Sequence, residues 1–219
     1  MILGLDIGTQ AIGWAYGHAG CLTDSGAEKF CGDPDLRFYS ARVYIEYLLD
    51  YLNPEQVLVE MTIGKFRTEL TLAALQKVTG LACRLRGIEF LIASVPDVRR
   101  SLGLRKHHQK AVVTSALVIH HHLAEHMQDA EKMALLLECM EENDRYPKLS
   151  KAKGKIGRPL SDTITQEGKK EVAKMETIVE ARTGITNDEG DALALWTWAA
   201  AGSPEDPDYE PVDLLAGIC

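Results

Sequence analysis

The stretch that decides the fold is Met1–Gly17, MILGLDIGTQAIGWAYG. It is mostly apolar and rich in residues that favour strands. Two strands are predicted, joined by a turn that Gly8 and Gly13 bracket: Ile2–Asp6 and Ile12–Tyr16. Asp6 is the exception within this apolar run. A carboxylate in a buried strand is costly unless a cation, a hydrogen-bond network or a bound metal compensates it, so the rest of the chain should supply such a partner.

The segments that follow alternate between strand-like and helical patterns. A third strand is expected near the end of residues 17–32, and short apolar runs predict two more, at Val57–Met61 and Phe90–Val95. Helices are predicted from Asp35 to Asn53, over Thr68–Arg86, Val98–Leu102, Gln109–His126, Lys132–Glu142 and Glu171–Arg182, and from Thr186 onward. In the first helix, one face carries Leu36, Tyr39, Val43, Tyr47 and Leu48. The order favours an α/β fold, a mixed five-stranded sheet flanked by helices.

Four acidic residues at the ends of these elements are candidates for a catalytic, metal-binding site. Asp6 ends the first strand and Glu60 ends VLVEM, so the two carboxylates lie side by side if these strands are neighbours. Asp188 and Asp191 share a face at the start of the last helix. If that helix end packs over the strand ends, four carboxylates meet. Hard oxygen ligands select Mg²⁺ or Mn²⁺, and two such ions about 4 Å apart suit phosphodiester hydrolysis.

Each acid also has a simpler explanation. An acid at a strand end often forms a turn, and acids in the first turn of a helix interact favourably with its dipole. Thr186 and Glu189 have the spacing of a capping box. Gly190 is harder to explain in this way, because glycine inside a helix costs about 1 kcal/mol relative to alanine. A small residue between two acids is expected if another group approaches closely there.

Composition limits the class of protein. The 219 residues, 46% of them hydrophobic, suit one domain over about 1–201 with an insertion at about 120–184 and an acidic, proline-rich tail at 202–219 that we expect to be flexible. No run of about 18 apolar residues predicts a membrane span, and the N-terminus lacks the pattern of a signal peptide, which favours a cytoplasmic location. The scattered cysteines are predicted to be reduced thiols: Cys21, Cys31, Cys83, Cys139 and Cys219.

The net charge of −8 hides two basic segments, Asp97–Lys110 and Arg145–Lys174. A basic face for nucleic acid and a mixed, solvated surface both fit this pattern. Within the second segment, Ser150–Gln166 reads as a flexible loop that carries extra DNA contacts or builds a dimer surface. The spacing of His122 and His126 suits either a zinc pair or an ordinary exposed helix, and the second is favoured.

Three motifs resemble those of the RuvC family of junction resolvases and the related nuclease domain of RNA-guided CRISPR enzymes. LGLDIGTQAIGWA resembles the first motif, VLVEM the second acidic motif and NDEGDALALW the last. The resemblance implies an RNase H-like fold, a homodimer, and Mg²⁺-dependent paired nicking of four-way DNA junctions with two ions per active site, for which Mn²⁺ would substitute.

The resemblance also implies roles for single residues. Asp6, Glu60, Asp188 and Asp191 would be catalytic metal ligands, and Lys110 would be the basic catalytic residue near the scissile phosphate. An aromatic residue that the family tends to have after the second acid is replaced by Ile63, with Phe66 three residues further on. The full set of expected DNA contacts is Phe66, Arg67, Arg99, Arg100, Arg105, Lys106, His107, His108, Lys151, Lys153, Lys155 and Arg158.

The leading hypothesis is therefore a Mg²⁺-dependent endonuclease that resolves Holliday-type junctions with water as nucleophile. A nuclease for forks or flaps, or a non-catalytic junction-binding module on the same fold, are the alternatives. LGLDIGT also resembles the first phosphate loop of sugar kinases and actin-like ATPases, but no second glycine-rich phosphate loop is visible in the sequence.

Overall fold

The computed structural model describes residues 1–61, 67–104, 110–145, 162–201 and 214–215. In these residues the chain forms five strands: β1 (Ile2–Ile7), β2 (Ala11–His18), β3 (Cys21–Lys29), β4 (Gln56–Glu60) and β5 (Glu89–Ala93). The helices in the same residues are α1 (Pro34–Leu52), α2 (Arg67–Leu85), α3 (Val95–Ser101), α4 (Lys110–His120), α5 (Asp129–Arg145), α6 (Asp162–Thr183) and α7 (Asn187–Ala200).

The strands form one sheet in the order β3-β2-β1-β4-β5. The first three strands are antiparallel neighbours, whereas β4 is parallel to β1 and β5 is parallel to β4. Parallel neighbours need a crossover, which α1 supplies between β3 and β4 and α2 supplies between β4 and β5. The predicted α/β class, a mixed five-stranded sheet flanked by helices, is confirmed.

Helices cover both faces of the sheet and make two apolar cores. Because side chains alternate along a strand, Leu3 and Leu5 of β1 point into the core beneath α1 and α2. The opposite face packs against α7 and α4, where Leu58 of β4 and Trp196 of α7 are buried. Asp6 follows Leu5, so the alternation directs it to the α7 face.

Two strand glycines let α7 lie close to the sheet. A Cβ on Gly4 of β1 would stand 2.7 Å from the Ala192 carbonyl oxygen and 2.9 Å from the Trp196 nitrogen, and one on Gly13 of β2 would overlap the Asp188 carbonyl. Gly13 pairs with Asp6 inside the sheet, so the prediction that it bracketed a turn is wrong. The turn is closed at Gly8, whose N–H donates to Ala11 O at 2.9 Å.

The first helix lies within one residue of the predicted bounds, but of the five residues predicted to share one apolar face only Leu48 is buried. Asp33 caps it, and Asn53 ends it in the left-handed region with a φ of 45°. The residues that face the core are Ala41, Ile45, Leu48 and Leu49, whereas Leu36, Tyr39, Val43 and Tyr47 are exposed. Tyr47 stacks on Tyr51 with ring centroids 5.5 Å apart. The small Ala41 and branched Ile45 admit close packing against the sheet, and the larger aromatic rings remain outside.

Other boundaries differ by a few residues. β5 ends at Ala93, because Ser94 caps α3 and Pro96 stands in its first turn, where a missing N–H costs nothing. α4 ends at His120, six residues before the predicted end. The predicted loop Ser150–Gln166 is helical from Asp162 onward, and its residues 150–161 lie outside the described part.

Two further predictions can be compared with the described part of the chain. Cys21, Cys31, Cys83 and Cys139 are free thiols there, as predicted, whereas Cys219 lies outside it. Among the described helices, none is both long and apolar enough to cross a membrane.

Candidate active site

The parallel pair β1–β4 places the first two acids at one edge of the sheet. Leu5 of β1 is in register with Val59 of β4, so Asp6 and Glu60 are the next residues of two neighbouring strands that run in the same direction. The condition on which the pairing of these two acids depended, that their strands are neighbours, is met. Both side chains are only partly exposed.

The start of α7 is fixed on the sheet by Glu189. Thr186 Oγ1 accepts the Glu189 N–H at 3.1 Å, which forms the N-cap half of the predicted capping box. Burial raises the pKa of the Glu189 carboxylate, and the Thr186 backbone acts against it. The same carboxylate accepts a hydrogen bond from Ser25 Oγ of β3 at 2.6 Å and is buried. This bond ties the residue between Asp188 and Asp191 to the sheet, so both acids are held above its edge.

Lys110, the first residue of α4, forms an ion pair with the Asp191 carboxylate. The Asp191 side chain is only 16% exposed and the Lys110 side chain 40%, so water screens this pair less than a surface pair. The glycine one residue before Asp191 allows the approach, because a Cβ on Gly190 would overlap the Thr114 side chain one turn along α4. The group that approaches Gly190 is therefore a threonine of the protein.

The charges of these residues act on one another. Burial raises the pKa of Asp6 well above its usual range, and the negative charges of Asp191, Glu60 and Asp188 raise it further, against the effect of Lys110. Burial, then Asp191, also raises the pKa of Glu60, while Lys110 opposes. Burial lowers the pKa of Lys110, but the nearby acids, with Asp191 foremost, outweigh it and raise that pKa overall. Any added positive charge would therefore stabilise the ionised forms of these acids.

The two arginines of α3 have different surroundings. Arg99 is partly buried, and its charge lowers the pKa of Glu60 against the larger effect of burial. Arg100 is exposed and pairs with Asp97 at 3.2 Å, one turn back on the same helix. Of this predicted pair, Arg99 therefore lies at the acidic cluster and Arg100 faces solvent.

The other expected DNA contacts are not part of the described structure. Arg67 begins α2, but its side chain lies outside the described part. The residues that lie wholly outside it are Phe66, Arg105, Lys106, His107, His108, Lys151, Lys153, Lys155 and Arg158.

Glu176 of α6 lies beside the site and was missed by the sequence analysis. Its carboxylate accepts a hydrogen bond from Asn187 Nδ2 at 3.3 Å, directly before Asp188. Burial raises the pKa of Glu176, and the charges of Lys110 and Asp191 both act on it, the first lowering it and the second raising it. Its sequence context is an ordinary charged helix, so only the packing of α6 against α4 reveals it.

The histidine pair proposed as an alternative zinc site is not on a helix. His122 has a φ of 54° in the turn that follows α4, so it and His126 do not share a helical face. His126 Nε2 is 2.8 Å from the Arg182 carbonyl oxygen. His121, between α4 and this turn, is 2.7 Å from Thr197 Oγ1 of α7. His121 therefore links the end of α4 to α7, and His126 links the following turn to α6.

The donor set fits a hard divalent cation by its chemistry. Asp6, Glu60, Asp188 and Asp191 offer carboxylate oxygens, which Mg²⁺ and Mn²⁺ prefer. Burial and then the neighbouring acids raise the pKa of Asp6, so a bound cation would stabilise its charged form. Among the described residues, no three His, Cys, Asp or Glu side chains stand in a metal-holding arrangement, and one Asp191 oxygen is paired with Lys110.

Comparison with solved structures finds RuvC from Thermus thermophilus. One structure, RuvC in complex with a Holliday junction substrate, is 13% identical over 91% of this chain and 91% of that chain, with a TM-score of 0.47. Another RuvC structure from the same organism is 15% identical over 91% and 92% of the two chains, with the same TM-score of 0.47. No protein-family model and no curated protein sequence matches the chain.

Proposed function

We propose that this chain is a divalent-metal-dependent endonuclease that resolves four-way DNA junctions by paired nicking, as a homodimer. The observation that carries the proposal is the convergence of Asp6, Glu60, Asp188 and Asp191 around Lys110 at one edge of the sheet. The resemblance of the three acidic motifs to those of junction resolvases supports the choice of substrate.

The four carboxylates would hold Mg²⁺ or Mn²⁺, two ions per site. When bound, the ions supply the charge that activates a water and stabilises the leaving oxygen of a phosphodiester. Lys110 and Arg99, beside the acids, would neutralise the phosphate and hold it in place. Because the nucleophile is water, no covalent intermediate forms on the protein.

Specificity would come from the shape of the junction and from phosphate contacts, which orient a protein on DNA without reading bases. Arg100, exposed on α3 one residue from Arg99, is suited to such a contact. A four-way junction has two-fold symmetry, so two nicks require two active sites, and a homodimer supplies them.

The direct test is cleavage of a synthetic four-way junction, beside a linear duplex and a splayed fork, with Mg²⁺ or with EDTA. Paired, symmetric, Mg²⁺-dependent nicks in the junction are expected, and Asp6→Asn should lose them. Asp129→Asn is the matched control, since Asp129 is 96% exposed on α5, away from the cluster. Cutting of forks in place of junctions would overturn the substrate, and junction binding without cutting in Mg²⁺ or Mn²⁺ would favour a binding module.

Calorimetric titration with Mn²⁺ gives a second measurement that needs no DNA. Wild type and Asp129→Asn should bind the ion, and Asp6→Asn should bind it at least tenfold more weakly, because a charged ligand is lost. Equal affinities would remove Asp6 from the ligand set.

A further inference from the structure

The lysine at the centre of the site depends on a carboxylate that the proposed function also uses. Lys110 is paired with Asp191, and Asp191 is one of the four expected metal ligands. An ion at Asp191 would compete with the ammonium for that carboxylate and would repel it. The other acids whose charges act on Lys110, Asp6 and Asp188, are expected metal ligands as well. Lys110 therefore needs an acceptor outside the ligand set if it is to stay near the phosphate.

Glu176 is placed to be that acceptor. It is on α6, which packs against α4, the helix that begins with Lys110. Its side chain is partly buried, and Asn187 Nδ2 donates to Oε2 at 3.3 Å. That bond engages one carboxylate oxygen and holds the group beside the start of α7. Each carboxylate oxygen can accept further bonds, so the group can also take an ammonium.

The neighbouring acid on α6, Glu180, differs from Glu176 in the cation that lies near it. Glu180, one turn further along α6, is 3.9 Å from Lys29 of β3. Glu180 therefore has its own cation, whereas the charges that act on Glu176 are those of Lys110 and Asp191. α6 belongs to the predicted insertion at about 120–184, so the insertion adds a charged group to the site.

We propose that Glu176 is a positioning residue: it is the second acceptor for Lys110 and keeps the lysine in the site when Asp191 binds an ion. The exchange of acceptors does not require the nuclease activity, but its purpose rests on the proposed function. Glu176 need not contact DNA or the ion for this role.

The first test uses no metal. Lys110 is labelled by reductive methylation in EDTA, and its rate is read by peptide mass spectrometry in Asp191→Asn and in Asp191→Asn/Glu176→Gln. Lys110 should stay protected in the single variant and be labelled about fivefold or more faster in the double variant, the factor expected for a lost ion pair in a partly buried place. Asp191→Asn/Glu180→Gln is the matched control and should behave like the single variant.

Several outcomes would overturn the proposal. Labelling of the double variant no faster than that of Asp191→Asn would show that another acid holds the lysine. Labelling of Asp191→Asn at the rate of an exposed lysine such as Lys170 would show that Asp191 has no substitute. Circular dichroism establishes that each variant is folded, and Asp191→Asn/Glu176→Asp should restore protection if the carboxylate is what matters.

The second test adds Mn²⁺ and links the exchange to the proposed function. Lys110 of the wild type should remain protected when Mn²⁺ saturates the protein, whereas Lys110 of Glu176→Gln should become labelled about fivefold faster. If calorimetry finds no ion binding, the metal-dependent function fails, but the metal-free comparison still decides the role of Glu176. If the ion binds and the two proteins label alike, the proposal fails and the function stands.

Discussion

Gly190 of α7 faces Thr114 of α4 at a point where a Cβ on residue 190 would overlap the threonine hydroxyl. Lys110 lies one turn before Thr114 on α4, and Asp191 follows Gly190 on α7. The contact therefore sets the distance between two helices at the place where their charged residues pair. A packing feature thus determines the geometry of the proposed site.

Enlarging Gly190 should separate this ion pair. Gly190→Ala is expected to destabilise the protein by about 1–2 kcal/mol, because overpacking outweighs the roughly 1 kcal/mol that alanine gains in a helix. Junction cleavage should fall by at least tenfold, since Lys110 moves with α4. Urea denaturation and cleavage rates measure the two effects.

A second substitution separates overpacking from other causes. Thr114→Ala removes the atoms that residue 190 would meet first, so Gly190→Ala/Thr114→Ala should recover most of the cleavage rate. Gly80→Ala is the matched control, since its Cβ would stand 2.9 Å from the Phe90 ring on the far side of the sheet. It should cost stability and spare cleavage. Equal losses of activity in Gly80→Ala and Gly190→Ala would contradict the expectation.

Gly190 stands out in the sequence, but the reason that the sequence suggests for it is wrong. A glycine between two acids suggests the approach of a ligand, whereas the group that approaches is Thr114. No local pattern pairs residues 114 and 190, because their contact depends on how two helices cross. Gly13 is a similar case: its role is to admit the Asp188 carbonyl, and only the packed helix shows this.

The Ser25–Glu189 hydrogen bond should be a main anchor of α7. Ser25→Ala leaves a buried carboxylate without its hydroxyl donor, which typically costs about 1–3 kcal/mol. Thr23→Ala, an exposed position on the same strand, is the matched control and should cost less than about 0.5 kcal/mol. Urea denaturation measures both, and equal costs would show that the bond does not stabilise the protein.

The four acids were predictable because each is a polar residue in an apolar or helix-start context, and the positions of the strands along the chain follow from runs such as VLVEM. Glu176 was not, since an acid on a charged helix carries no local signal. The buried face of α1 was wrong for a related reason: Tyr39, Val43 and Tyr47 have the spacing of a core stripe, but they lie on the exposed side. The spacing of apolar residues identifies one face of a helix, but it does not show whether another part of the chain covers that face.

That exposed side suggests where the proposed homodimer forms. Most of the exposed large apolar residues in the described part of the chain are on two helices that pack together, α1 and α2: Leu36, Tyr39, Val43, Tyr47, Tyr51, Leu70, Leu81 and Leu85. In the described part of the insertion, Leu137 is the one such residue. Exposed apolar residues that gather on neighbouring helices are typical of interaction sites, so we expect α1 and α2 to form the interface.

Sedimentation equilibrium tests this assignment. Tyr47→Ser/Leu81→Ser should shift a dimeric wild type toward monomer by at least tenfold in dissociation constant, with the fold retained because both side chains are more than half exposed. Leu137→Ser is the matched control and should remain dimeric. Dissociation caused by Leu137→Ser alone would place the interface on the insertion, as the sequence analysis also allowed.

His121 should make the stability depend on pH. Burial lowers the pKa of His121 to about 4, with smaller contributions from the charges of His120 and His122. The unfolded pKa is roughly 6.5, so between these values the unfolded state binds more protons than the folded state. Stability should therefore fall as the pH drops from 6.5 toward 4, by at most about 2 kcal/mol at pH 5.

The effect is isolated by comparing variants, because the raised pKa values of Asp6, Glu60 and Glu189 act in the opposite direction as the pH falls. Urea denaturation at pH 7.5 and pH 5 should show a smaller loss of stability in His121→Gln than in wild type, since glutamine can keep a bond to Thr197 but does not titrate. His18→Gln, at an exposed position, should match wild type. If all three proteins lose the same stability between these pH values, His121 is protonated without cost, and its contact with Thr197 at 2.7 Å does not require the neutral ring.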